Sequence, residues 1–121
     1  MSNVRPHKHM HPTPQFIAEL KFHFKDYGPE RRHWFMFDES LHRRVPMQME
    51  GTEGLNTVGM WVKEAATFQV GETVQVECVV IAPEIYRAVV KPGVKFELWD
   101  GKFFASDTVL KRVEAGWPSE A

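Results

Sequence analysis

Two short clusters combine arginine with histidine: Arg31-Arg32-His33 and His42-Arg43-Arg44. Guanidinium groups hold carboxylate or phosphate through paired N–H donors, and imidazole adds positive charge as pH falls. Asp38-Glu39-Ser40 lies between the clusters and reads as a turn. The spacing therefore predicts a hairpin near Asp38 that brings the two clusters close together. Like charges facing across a strand pair repel, so an anion would be favoured there, supplied by RNA phosphate or an acidic protein patch. The plainer reading is a solvated basic loop neutralised by Glu30, Asp38 and Glu39, since exposed ion pairs contribute little.

Other side chains offer less. His23, His33 and His42, with Asp26, Glu30 or Asp38 nearby in the chain, could supply an acid and a base, but only if a pocket gathers them. His7, His9 and His11 alternate in a proline-rich stretch without a neighbouring carboxylate or thiol; no metal site is expected from them. Cys78 is the sole cysteine, which excludes an intramolecular disulfide and a multi-thiolate zinc site. Its place among Val74, Val76 and Val80 makes it core packing rather than a nucleophile. No catalytic residue and no cofactor are expected.

These side chains must be positioned by strands. Gln15 to Lys25 alternates strictly, with Phe16, Ala18, Leu20, Phe22 and Phe24 on one face. Trp34 to Phe37, Arg43 to Met49, Thr57 to Glu64 and Thr73 to Ala82 read as further strands. Gly71 suits a connection with positive φ, and Pro83 stops the ladder after Ala82. Val94 to Trp99 and Lys102 to Val113 form a hairpin about Asp100-Gly101, a pair that suits a type I′ turn, with a bulge expected near Ser106-Asp107. Trp61, Trp99, Val79 and Ile81 fall opposite the core-facing residues. They either pack elsewhere on the fold or form a protein interface.

The resulting expectation is an all-β chain: a single small antiparallel barrel of about six strands, closed or nearly closed. Residues 15–113 carry it, between an arm over 1–14 and a tail over 114–121. With 43% apolar residues the chain can form a core, and no apolar run is long enough to span a bilayer as a helix. The net charge of −1 gives no general basic field for nucleic acid. The asymmetry is local: residues 1–50 hold eight basic and six acidic side chains, residues 51–121 seven and ten. The N-terminal stretch has no signal-peptide h-region, so the expected location is cytoplasmic.

From Val74 to Val113 the chain reads VQVECVVIAPEIYRAVVKPGVKFELWDGKFFASDTVLKRV. This run resembles the third domain of bacterial elongation factor Tu, the C-terminal β-barrel shared by related translation GTPases. The resemblance rests on a valine-rich strand ending at Pro83, then Gly93 and Phe96, the Asp100-Gly101 hairpin and the strand Val109 to Val113. Phe16 to Leu20 looks like that barrel's first strand. Phe68 to Val74 is similar to its Met-Pro-Gly-Asp turn, and Arg32-His33 sits about where its Gly-Arg-His lies. The resemblance spans residues 15–113 and implies a barrel that contacts proteins and the T-stem of tRNA. The family's GTPase domain has no counterpart in these residues, and no Gly-x-x-x-x-Gly-Lys-Ser/Thr loop is present, so GTP is not an expected ligand. Near the last hairpin Trp99 replaces an arginine and Ala105-Ser106-Asp107 replaces small glycine-rich residues. Lys102 is the one cation the hairpin keeps.

Three functions follow, in this order. The first is a stand-alone module that binds a protein partner, in translation or in an immunity- or antitoxin-like capping role. The second is an accessory protein that binds tRNA or rRNA through Arg31, Arg32, Arg43, Arg44 and Lys102. The third is a small-barrel enzyme using histidine acid–base chemistry.

Overall fold

Alternating apolar and polar side chains suit a pleated strand with one face in a core, and the strands Phe16–Phe22, His42–Met49, Thr73–Val80 and Lys95–Trp99 carry that pattern. A computed structural model describes residues 12–28 and 32–119. The strands are β1 (Phe16–Phe22), β2 (Phe35–Phe37), β3 (His42–Met49), β4 (Asn56–Trp61), β5 (Ala66–Phe68), β6 (Thr73–Val80), β7 (Lys95–Trp99) and β8 (Phe103–Arg112). Six of them close an antiparallel barrel in the order β1-β6-β4-β3-β7-β8, and β8 pairs back onto β1. Closure leaves no open edge in the main sheet. β2 and β5 form a separate two-stranded sheet. Among the described residues helix is confined to one turn, α1 (Pro83–Tyr86), and a 3-10 turn at Glu114–Gly116. Among the described residues no helix is long and apolar enough to cross a membrane.

The interior holds the alternating residues: Phe16, Ala18, Leu20 and Phe22 from β1, Met47 and Met49 from β3, Val76, Cys78 and Val80 from β6, and Leu98 from β7. The two barrel ends are closed differently. At one end α1 places Tyr86 in the core, and Trp117 is buried with its indole N–H donating to the Gln15 carbonyl (3.2 Å). Arg112 fastens this end. Its guanidinium donates to the carbonyls of Arg87 (2.6 Å) and Val90 (2.9 Å), lies 4.5 Å from the Trp117 ring and pairs with Glu114. The other end is plugged by aromatic rings. Phe68 stacks on Phe22 at 5.1 Å, Phe35 on Phe104 at 4.9 Å, and Phe35 meets Phe37 edge-on at 5.4 Å. The small β2–β5 sheet delivers three of these rings.

Several local expectations change. β1 ends at Phe22 rather than Lys25, because the N–H groups of His23 and Phe24 both turn to the Phe104 carbonyl (2.9 and 3.0 Å). The turn at Asp38 forms, with Asp38 accepting from the Ser40 N–H and hydroxyl and Leu41 at φ 63°. It does not join two paired strands, however: β2 pairs with β5, and β3 with β4 and β7. The last hairpin has a three-residue loop, Asp100 to Lys102, in which only Gly101 has positive φ. An extra residue at Phe104 makes it so: Leu98 faces Ala105 while Trp99 faces Phe103. A second extra residue, Leu110, lies where Ile17 faces Lys111 and Ala18 faces Val109. The β8 irregularities thus flank Ser106-Asp107 rather than occupy it. His7, His9, His11 and Arg31 lie outside the described residues.

Candidate binding cleft at the aromatic end

The most conspicuous concavity that gathers charged and aromatic side chains lies on the plugged end. A cleft of about 770 Å³ is lined by Phe24, Tyr27, Arg32, His33, Trp34 and Phe35 on one side and by the Asp100–Lys102 loop and Phe104 on the other. A smaller depression of about 330 Å³ adjoins it through Phe24, Tyr27, Gly28, Arg32 and His33, and extends to Gln69 and Val70. The exit of β1 and the entry to β2 therefore meet the β7–β8 loop, which is far away in sequence.

Phe24 forms the floor. Its φ of 46° is uncommon for a bulky side chain and costs conformational energy. The surroundings over-determine it. Its N–H reaches Phe104, its carbonyl accepts from Tyr27 N–H at 3.0 Å, and its ring lies 6.0 Å from Phe104 and 6.2 Å from Phe22. Tyr27 meets Phe24 edge-on at 5.4 Å, and His33 packs against both, 5.9 Å from Phe24 and 4.7 Å from Tyr27. His33 Nε2 is 3.1 Å from the Gly28 carbonyl. That contact suits a protonated Nε2 and leaves Nδ1 as the second polar atom.

Two cations stand at the rim. Arg32 donates to the Gln69 amide oxygen at 3.2 Å, and Gln69 N–H is held in turn by Glu72 at 2.6 Å. Lys102 Nζ lies 5.6 Å from the Tyr27 ring. Burial and the Asp100 carboxylate push the Tyr27 phenol above its ordinary value, so it stays a neutral donor and acceptor near pH 7. The outer lip is apolar: Trp34 is 61% and Val70 62% exposed.

Of the sequence-predicted binding residues, the structure brings Arg32, His33 and Lys102 to this cleft. His42, Arg43 and Arg44 go elsewhere, because β3 belongs to the barrel wall. Arg43 donates to the Met36 carbonyl at 2.6 Å and lies 4.1 Å over the Phe35 ring, on the ring that also stacks on Phe104. It is a brace for β2. His42 stacks on Trp61 at 4.2 Å, and Arg44 is exposed on the same strand. The expected approach of the two basic clusters across a hairpin is thus replaced by one cation bracing the small sheet.

Of the outward apolar residues, Trp61, Val79 and Ile81 share one stretch of wall and Trp99 stands apart. Trp61 lies flat on the wall over Gly59, where a Cβ would come within 3.2 Å of the indole and 3.3 Å of His42. Val79 faces Gly59 on the next strand, and Ile81 follows β6 at 64% exposure. Trp99 is on β7, with β3 between it and β4.

The histidines and carboxylates considered for acid–base work occupy different settings. His23 Nδ1 accepts from Lys25 N–H at 3.1 Å. Asp38 is tied to Ser40, whose hydrogen bonds hold its carboxyl below the ordinary value. Among the described residues no group of three or more His, Cys, Asp or Glu side chains is placed to hold a metal ion. A further depression of about 610 Å³ crosses the outer faces of β3, β7 and β8, with Glu50, Glu97 and Asp107 among its lining residues; it contains only Lys95 as a cation.

Phe24, Tyr27 and Trp34 are cleft residues that the sequence does not single out. The one available signal is that apolar alternation continues through Phe24 into the Asp26-Tyr27-Gly28-Pro29 turn. No protein-family model matches the chain, and no curated protein matches it.

Proposed function

We propose that this chain is a non-enzymatic binding module of the elongation factor Tu third-domain type and that it engages a protein partner through the aromatic-end cleft. The observation that carries this reading is the convergence of Arg32, Tyr27 and Trp34 with Lys102 at one mouth. Tryptophan, tyrosine and arginine are the side chains enriched at binding hot spots. Two further features support it. A strained residue, Phe24, forms the floor, and such strain concentrates at ligand clamps. The exposed Trp34 and Val70 beside the cleft add apolar surface of the kind that marks protein contacts. The resemblance to the elongation-factor barrel supports the kind of module, and the partner's role in translation or in capping belongs to the same proposal.

The test is capture of partners from host lysate by the tagged protein, after nuclease treatment, beside the Trp34→Ala variant. A stoichiometric protein retained by the parent and lost by Trp34→Ala is the expected result. Equal retention by both would remove the cleft from the reading.

A second reading has its own observation: Lys102 sits over the Tyr27 ring and Arg32 is next to His33, an aromatic-and-cation pairing that also serves single-stranded RNA. RNA recovered before nuclease treatment, with affinity falling steeply as salt rises, would favour it.

A further inference from the structure

The side chains of the cleft specify more than the existence of a partner. Among the described residues no carboxylate pairs with either rim cation: Arg32 rests on a neutral amide, and Lys102 on an aromatic face. Both contacts are weaker than a charge-assisted bond to a carboxylate, so both can be exchanged for one. Between the cations lie ring faces and edges from Phe24, Tyr27 and His33. At about 770 Å³ the space exceeds what a single ion fills, and lies within the usual range for ligand sites.

The charge pattern also discriminates between occupants. Asp100 lies in the mouth beside Lys102 and repels any anion brought there, so an occupant whose negative charges are separated and sit at its flanks is favoured over a continuous phosphate chain passing over the loop. The exposed Trp34 and Val70 extend the site as an apolar shelf, useful to protein side chains and unneeded by a sugar-phosphate backbone.

We infer that the cleft receives an acidic protein segment carrying an aromatic side chain. The aromatic ring packs on the surface that Tyr27 and His33 form over Phe24. Flanking carboxylates take Arg32 and Lys102, one on each side, in place of the Gln69 amide and the Tyr27 face. The inference rests on the protein-binding reading above and names the chemistry of the docking element.

The test uses the full chain, isotopically labelled, and a short capped peptide with one phenylalanine flanked by aspartate and glutamate. Resonances of Phe24, Tyr27, His33, Gly101 and Lys102 are expected to shift on titration. Lys102→Glu is expected to weaken binding about tenfold, and charge reversal at both Lys102 and Arg32 to abolish it. A peptide with alanine for phenylalanine should bind more weakly, and one flanked by lysines should cause no shift at these residues. Both substitutions are at exposed positions, and unchanged spectra elsewhere in the barrel establish that the variants fold. No shift with the acidic peptide, equal shifts with the lysine-flanked one, or insensitivity to charge reversal would overturn the inference. So would shifts at the same residues with a short oligouridylate and none with the peptide, which would make the cleft a nucleic-acid site. A lysate partner that depends on Trp34 while the acidic peptide fails would overturn this inference alone and leave the protein-binding reading in place.

Discussion

Phe24 shows how one residue can shape a site without itself carrying polar chemistry. Its left-handed backbone turns the chain out of β1 and aims Tyr27 and His33 across the barrel end. Next to it, burial and the nearby Lys25 push the His23 pKa below the ordinary 6.5, against the opposing pull of Glu97 and Asp26. The unfolded chain then binds a proton at this site more readily than the folded one, so the native state loses stability as pH falls through the ordinary imidazole range. Replacing His23 with Gln should flatten the fall of Tm between about pH 7.5 and pH 5 relative to the parent, read by thermal denaturation at each pH. Cys78 gives a second check at this scale. It is buried among Val76, Val80 and Phe16, and burial raises its thiol pKa strongly. A thiol reagent should label it only as fast as the protein unfolds, and labelling in native buffer at the rate of a free thiol would contradict its placement. The inward face of β6, Cys78 included, was legible from period-two alternation. The backbone of Phe24 was not, since local sequence gives a phenylalanine no reason to take positive φ; the shared Phe104 carbonyl imposes it from eighty residues away.

At the scale of elements, the β2–β5 sheet decides what the barrel end becomes. It is only three residues on each side, too short for an alternation to be recognised, and Ala66-Thr67-Phe68 therefore reads as connection. Once β5 claims β2, the Asp38 turn can no longer pair β2 with β3, and the two basic clusters part. The sheet is held by the ring stack rather than by its few hydrogen bonds. Phe22, fully buried and in contact with Phe24, Phe35, Phe68 and Phe104, is its centre. Phe22→Ala should cost about 3–5 kcal/mol in denaturant unfolding, and a loss below about 1 kcal/mol would contradict the plug. The opposite end depends on close backbone approach. A Cβ at Gly116 would collide with the Pro14 carbonyl, so Gly116→Ala should destabilise by about 1–3 kcal/mol, measured the same way. The strong strands around both ends were legible because their faces are long and regular. The bulges at Phe104 and Leu110 were not, because they arise from the mismatch of β8 with two partners at once.

For the whole molecule, barrel closure fixes β1, β7 and β8 side by side, and this adjacency alone brings Lys102 to residues 24–28 and 32–35. The sequence offered the right cations in part, Arg32, His33 and Lys102, but not their meeting place, which is a property of strand order. It also offered Trp61, Val79, Ile81 and Trp99 as an interface; Trp61 and Val79 lie on the paired strands β4 and β6 with Ile81 just beyond β6, and Trp99 is on β7. Trp34→Ala, at an exposed position, should leave stability within about 0.5 kcal/mol while removing partner capture, as measured by unfolding and capture in parallel. The most direct measurement is to map a captured partner on the isotopically labelled full chain by resonance perturbation. Changes confined to residues 24–28, 32–35 and 100–104 are expected for binding at the aromatic-end cleft; changes centred on Trp61, Val79 and Ile81, with the cleft unperturbed, would contradict it.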